Sequence, residues 1–222
     1  HQTVHFVGLK SNATVNESGI KETSATENLI VRDFVEYSNL IPGTEYKLQG
    51  RLVDPETSAV LTEKSIMFTP EEASGSVEII FDAIDARNYA NRTLVVTDVL
   101  YQGDTVVGRH EDLANTEQMI HVTNLRTTLL DVDNSSHSAS VKENLKLVDK
   151  VEYFNLIPGE KYQVKGQLMN KTTGEPISDE VTVDFTPTEA NGSVDVEFTI
   201  DASKLGGQAV VAFEHLYKNN VE

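Results

Sequence analysis

The sequence predicts an all-β protein built from two tandem immunoglobulin-like β-sandwich domains. Three observations carry that reading. The first is an internal repeat. "VRDFVEYSNLIPGTEYKLQGRL" at 31–52 returns as "LVDKVEYFNLIPGEKYQVKGQL" at 147–168, an offset of 116 residues. "FTPEEASGSVEIIF" at 68–81 returns as "FTPTEANGSVDVEF" at 185–198, offset 117, and "VTDVLY" at 96–101 returns as "AFEHLY" at 212–217, offset 116 again. The second is strand periodicity: "VEY", "YKLQGRL", "SVEIIF" and "TLVVTDVLY" alternate apolar with polar residues or run in β-branched and aromatic types. The third is turn chemistry without helix chemistry. Pro42 presets φ and Gly43 supplies conformational freedom in "IPG", and no capped amphipathic run of helix length occurs.

Taken in chain order, residues 1–7 open with "HQTVHF", which at offset 116 is the counterpart of "EQMIHV" at 117–122, so that Gln2 corresponds to Gln118. They are expected to be a closing strand that belongs to a preceding or neighbouring domain. Residues 8–122 form the first sandwich, with seven or so short strands; "PEEASG" at 70–75 has room for one helical turn. Residues 123–222 form the second sandwich. In register, that copy has no counterpart of "VGRHEDLANTEQMIHV" and is expected to lack its last strand. The chain begins at His1 rather than Met and is expected to be a piece of a longer protein.

Composition excludes several classes of function. The formal net charge is −17, from 35 acidic against 18 basic residues, which repels nucleic acid and anionic lipid, so neither is an expected partner. No stretch approaches 18 apolar residues, so no membrane insertion is expected. Cysteine is absent, which fits the cytosol or an exported bacterial protein stabilised by something other than disulfides. No zinc, P-loop or dinucleotide motif is present. "DVDNSSH" at 131–137 begins like a calcium loop, but its sixth and twelfth positions are Ser136 and Lys142 where Gly and Glu are needed. No metal and no cofactor are therefore expected.

The polar residues that recur on strands are the candidates for chemistry. Asp33 in "IVRDFV" matches Asp149 in "KLVDKV". Asp98 matches Glu214, which alternation in "VAFEHLY" sets on the same side of a strand as Ala212 and Leu216. His110 lies eight residues before Gln118, and Thr127 and Thr128 match Ser11 and Asn12. Each residue alone has a plainer reading: a solvent-facing strand acid or a loop histidine.

Taken together, "VAFEHLY", "YSNLIPGTEY", "FTPEEASGSV" and "HEDLANTEQ" (His110, Asp112, Gln118) resemble the Thr–Gln ester-bond, or VaFE-repeat, domains of Gram-positive surface adhesins, over nearly all of both copies. The resemblance implies CnaB-like sandwiches and an autocatalytic cross-link. A threonine hydroxyl on the first strand attacks a glutamine amide on the last, ammonia leaves, and a buried acid pair and a histidine assist. Such a reaction needs a base for the hydroxyl proton, a role that suits histidine, and an acid for the leaving group. Two close buried carboxylates cannot easily both ionise, so one keeps a proton and can polarise the amide carbonyl. Carried over, the first copy has Ser11 (or Thr14) as nucleophile, with Asp33, Asp98, His110 and Gln118. The second has Thr127, Asp149 and Glu214, and Gln2 is its matching glutamine by register. Ser for Thr and Asp for Glu are departures from the family pattern.

The implied function is a stalk or fibre segment of an adhesin on the bacterial surface, anchored to the cell wall through another part of the protein. Its expected partners are neighbouring repeats or identical subunits head to tail, with a host ligand bound by a separate tip domain. The expected chemistry is a single turnover, not enzymatic. Two other classes compete: a module that binds host protein or glycan through its loops, against which the absence of Trp and of aromatic-rich loops weighs, and a hydrolase built on the histidine and acids.

Overall fold

The computed structural model describes residues 2–222. The chain divides into two compact units, one ending at Thr123 and the other running from Asn124 to Glu222. Unit 1 contains β1 (Gly8–Val15), β2 (Glu22–Ser24), β3 (Val31–Ser38), β4 (Tyr46–Asp54), β5 (Ala59–Phe68), β6 (Gly75–Ile80), β7 (Thr93–Gln102), β8 (Thr105–His110) and the start of β9 (Met119–Asp131). One sheet is ordered β1-β3-β6. The other runs β5-β4-β7-β8, and the first residues of β9 pair with β7 and β2. Unit 2 contains the rest of β9, β10 (Leu145–Phe154), β11 (Tyr162–Asn170), β12 (Val181–Phe185), β13 (Gly192–Ile200) and β14 (Val210–Tyr217), in sheets β9-β10-β13 and β12-β11-β14.

In each unit the inward residues of the two sheets meet in one apolar core. In unit 1, Ala13, Val35 and Ile79 of one sheet pack with Leu48, Leu52, Val96 and Leu100 of the other; in unit 2, Leu147, Val151 and Val196 pack with Val164 and Leu168. This is the two-layer solution that alternating strands require. The repeat holds down to strand register. Ser11 pairs with Val35 as Thr127 pairs with Val151, and Gly50 with Asp98 as Gly166 with Glu214. Tyr46 pairs with Phe68 as Tyr162 does with Phe185, at the offset of 117 that follows the inserted residue.

The recurring "IPG" and "FTP" motifs build the end of each sandwich. The Phe68 ring lies 5.4 Å from Tyr37 and 6.0 Å from Tyr46, and the Tyr46 hydroxyl accepts from the Ile41 N–H. Unit 2 repeats this with Phe185, Tyr153 and Tyr162 at 5.3 and 5.9 Å. Gly43 and Gly159 take φ of +76° and +84°, as these turns demand.

One expectation changes. "PEEASG" holds no helical turn, because its carbonyls point across the sandwich end instead of along the chain: Pro70 and Ala73 accept from Gly43 and Leu40. The short 3-10 turns lie elsewhere, at Ala86–Tyr89 and Thr116–Gln118. In the stretch expected as a closing strand, residue 1 lies outside the described residues, and 2–7 form no strand within this chain.

Gly50 sits opposite Asp98 on the core side of β4. A Cβ there would lie 2.8 Å from the Ile79 Cδ1, 2.9 Å from the Phe81 ring and 3.4 Å from an Asp98 carboxyl oxygen. Gly50→Ala is therefore expected to lower unit 1 stability by about 1–3 kcal/mol through overpacking. Urea unfolding of the full chain checks this; an unchanged midpoint would show that the core yields at no cost.

Candidate functional site

The site of unit 1 lies between the sheets, where the edge strand β1 faces β8 and the 3-10 turn that leads into β9. Alternation turns Ser11, Ala13 and Val15 inward on β1, which leaves Thr14 on the opposite face and makes Ser11 the hydroxyl that enters the sandwich. Asp33 reaches the same space from β3 and Asp98 from β7. His110 ends β8 directly opposite Asp98, and Gln118 closes the 3-10 turn. Asp33, Asp98 and Gln118 are fully buried, and Ser11 retains 8% exposure.

These five side chains form one hydrogen-bonded cluster. Ser11 Oγ donates to Asp98 Oδ2 at 3.0 Å and lies 2.9 Å from His110 Nδ1. Gln118 Nε2 donates to Ser11 Oγ at 2.5 Å and to Asp98 Oδ2 at 3.1 Å. Asp98 thus accepts twice and is held as the anion. Neither oxygen of Asp33 meets an N–H or an ordinary O–H donor, nor do Asp98 Oδ1 and Gln118 Oε1. The donor that can serve these acceptors is a proton retained on Asp33. The electrostatics agree: burial, then the Asp98 charge, pushes Asp33 up to about 9, while the rise that burial imposes on Asp98 is opposed by hydrogen bonds from Asp33 and Ser11. The result is a water-poor pocket that holds a hydroxyl, a primary amide, a carboxylate and a carboxylic acid in contact, the ingredients for acyl transfer from amide to hydroxyl.

Sequence reasoning missed two residues that hold this arrangement. Lys21 Nζ donates to Asn12 Oδ1 at 2.6 Å, the Ala13 carbonyl at 2.9 Å and the Glu117 carbonyl at 2.6 Å. It ties the residues just after Ser11 to the residue just before Gln118. Burial pulls its pKa down, against the nearby Glu117 and Asp33 charges. The repeat carried a signal for it: at offset 116 stands His137, whose Nδ1 meets the Leu129 carbonyl, the counterpart of Ala13. The other is Asn115, whose Nδ2 lies 2.9 Å from His110 Nε2 and whose Oδ1 accepts from the Glu117 N–H at 3.0 Å. An Asn three residues before Gln118, able to cap a short turn, was the available signal. Asp112 serves the same turn, accepting from Ala114 N–H.

Unit 2 brings together only part of its set. Asp149 is fully buried on β10, and Glu214 faces inward on β14 with Ala212 and Leu216 packed against the core. Neither Asp149 oxygen nor Glu214 Oε1 meets a donor; burial, then the hydrogen bond and charge of Asp149, pushes Glu214 up to about 9. Glu214 is thus a protonated acid lodged against Asp149. It is half-buried where Asp98 is fully buried, because among the described residues β14 is an edge strand with nothing in the place of β8. Thr127 is exposed on β9, and Gln2 is exposed in the segment ahead of β1. The described residues include no cluster of side chains suited to a metal.

Both pairs make stability depend on pH. Asp33 and Glu214 have folded pKa values near 9, above the ordinary carboxylate range of about 4, so the folded state binds more protons than the unfolded one between those limits. Their contribution is complete below about pH 4 and is lost as pH rises through about 9. The urea midpoint of the full chain is expected to fall from pH 6 to pH 9, and Glu214→Gln, which keeps a donor toward Asp149 without an ionisable proton, is expected to flatten that fall. A midpoint that rises with pH would exclude protonated pairs.

Several known structures share features with the chain. An adhesin from Mobiluncus mulieris, described as containing intramolecular disulfide, isopeptide and ester bond cross-links, aligns in one crystal form at 14% identity over 85% of this chain and 76% of that one, with a TM-score of 0.48. In a second crystal form it aligns at 15% identity over 94% and 80%, with a TM-score of 0.47. A glycoside hydrolase family 2 β-glucuronidase aligns at 12% identity over 52% of this chain and 11% of its own, with a TM-score of 0.36. No protein of curated function shows significant sequence similarity to the chain. The sequence profile of the T-Q ester bond containing domain matches residues 7–122 and again 123–222, and the chain belongs to that family, in two tandem copies.

Proposed function

We propose that this chain is a stalk or fibre segment of an adhesin on the surface of a Gram-positive bacterium, strengthened by an ester cross-link that each chain makes once. The observation that carries the reading is the 2.5 Å contact between Ser11 Oγ and Gln118 Nε2 inside a buried acid pair. Loss of ammonia from Gln118 and closure of a Ser11–Gln118 ester join β1 to the turn entering β9. The closed loop spans 107 residues, and in the chain-entropy model such a link adds roughly 4–5 kcal/mol. Under tension the bond carries load past the β1 hydrogen bonds, the task that disulfides serve elsewhere. The absence of cysteine and the strongly acidic surface suit an exported protein, which would reach the cell wall and a ligand-binding tip through other domains. Because the acyl group stays on the protein, the reaction is a single turnover and the chain is not an enzyme.

The measurement is intact mass. Wild-type protein is expected to fall short of its composition by one ammonia, about 17 Da. Gln118→Ala should abolish that deficit and lower the melting temperature while leaving the circular dichroism spectrum of the β-sandwich. A variant with the wild-type melting temperature, or a wild-type chain of full mass, would rule out the bond.

The finer reading is that neighbouring molecules join head to tail by strand complementation. Residues 2–7 repeat the register of the unit 1 closing strand, and their apolar residues Val4 and Phe6 are 76% and 84% exposed, whereas their counterparts Ile120 and Val122 are fully buried. Unit 2 supplies the matching requirement: the edge of β14, an acid pair left half-open and the Thr127 hydroxyl. Insertion of one molecule's residues 2–7 beside β14 of the next would bring Gln2 to Thr127 and give an open filament. A ladder of multiples on a denaturing gel, collapsing to monomer in Thr127→Ala, is the expected result. A single monomer band for wild type sinks this reading and assigns residues 2–7 to a preceding domain.

A further inference from the structure

Strand β9 has two tasks. Its first residues, 119–123, close unit 1, and the rest, from Asn124, opens unit 2 as the counterpart of β1. In unit 1 the closing stretch runs between two walls. On one side β2 pairs with 121–123 in parallel; on the other, 93–95 at the start of β7 pair with 119–121 antiparallel. Below it, Ile120 and Val122 fill the core in one cluster with Ala13, Leu29, Val31 and Leu94.

Unit 2 has both walls of this slot and, among the described residues, no strand between them. At offset 116, β2 corresponds to Ser138, Ala139 and Ser140, and residues 93–95 correspond to Ala209, Val210 and Val211. Residues 138–140 belong to no strand. Between the walls lies a cavity of about 440 Å³, lined by 138–140, Ala209 and the apolar side chains of Leu129, Leu145, Leu147 and Val210. Those four are the counterparts of Ala13, Leu29, Val31 and Leu94. The cavity is therefore the volume that the closing strand's side chains fill in unit 1.

The segment that fits it stands at the other end of the chain. Residues 3–7 are the counterparts of 119–123, with the exposed Val4 and Phe6 in the places of Ile120 and Val122. They lead directly into β1, as 119–123 lead into the unit 2 part of β9. At the exit from unit 1, Asn39 Nδ2 donates to the Phe6 carbonyl at 3.1 Å and leaves the Val4 and Phe6 side chains bare. They have no place in the slot of unit 1, which 119–123 already fill. Residues 2–7 carry no acid, in a chain of net charge −17, so an acidic neighbour does not repel them.

We propose that the cavity between 138–140 and 209–211 is a strand-accepting slot, that its occupant is residues 3–7 of a second copy, and that 138–140 become the counterpart of β2 when it fills. This rests on the head-to-tail reading above and gives that reading its site. The incoming strand pairs on both sides, and Val4 and Phe6 leave water for the cavity. Docking of this kind holds without any covalent bond, and the ester is a later, separable step.

The test is amide hydrogen exchange of the full chain, read residue by residue in dilute and in concentrated protein. Gln2→Ala, which removes the amide that would be linked, isolates docking from cross-linking. In that variant, exchange at 138–140 and 209–211 is expected to slow by at least about tenfold on concentration. Adding Val4→Asp and Phe6→Asp, both at exposed positions, is expected to abolish the slowing while leaving exchange in the two cores unchanged. Exchange at the slot amides that ignores concentration overturns the proposal; if it is slow throughout, the occupant is a segment of the same molecule. Slowing that survives in the Asp variant overturns it too, because something other than Val4 and Phe6 then fills the cavity. Protection in Gln2→Ala with a single monomer band for wild type keeps the slot and sinks the covalent link. A ladder in wild type with unprotected slot amides keeps the link and sinks the slot.

Discussion

A proton shared between two buried carboxylates is the interaction on which the rest of this structure depends. Each unit drives an acid inward from both of its sheets: Asp33 against Asp98 in one, Asp149 against Glu214 in the other. Two such groups in a low-dielectric interior repel when both are ionised, and each loses its hydration. Retaining one proton removes the repulsion and creates a donor where the surrounding backbone supplies none. The strand registers hold the pair in place. Gly50 and Gly166 sit opposite Asp98 and Glu214, and the absence of a Cβ leaves room for the carboxyl group beside Phe81 in unit 1 and Phe198 in unit 2.

The two units show how much the closing elements add to that pair. In unit 1, β8 and the 115–118 turn cover Asp98, bring His110 and Gln118 to Ser11, and leave the cluster almost without solvent. In unit 2 the same β-sheet registers deliver Asp149 and Glu214, yet β14 remains an edge, and Thr127, on the same face of β9 as the core-packed Leu125 and Leu129, is left exposed. The acid pair is therefore a property of the sandwich itself, and reactivity is a property of whatever covers it. Lys21 belongs with the covering elements: its three hydrogen bonds connect the nucleophile strand to the turn bearing the glutamine.

The most recognisable motifs have little to do with chemistry. "IPG" and "FTP" form an aromatic cluster and a cross-sandwich turn at one end of each unit, where Pro70 and Ala73 accept from Gly43 and Leu40. Their regularity made the repeat visible, and the repeat in turn located the polar positions that no motif marks. In "PEEASG" the local composition allows a helical turn, but its carbonyls have partners about 30 residues earlier in the chain.

What the sequence determined by itself is what depends on local period and on repetition. Alternation establishes which residues share a face of a strand, so it set Glu214 beside Ala212 and Leu216, whereas the choice of Ser11 over Thr14 came from the burial of Ser11, Ala13 and Val15 in the sandwich. The offset of 116 pairs Asp33 with Asp149 and Asp98 with Glu214. The tertiary structure alone decided the roles. Asp98 is the anion and Asp33 the acid because Ser11 and Gln118 both donate to Asp98 Oδ2, while burial and the Asp98 charge push Asp33 up. Those two donors come from strands and turns more than 100 residues apart, and periodicity carries no information about which long-range side chains share a proton. The same holds for Lys21 and Asn115, whose importance lies in contacts made across the sandwich edge and around a turn, where a sequence shows only a lysine and an asparagine.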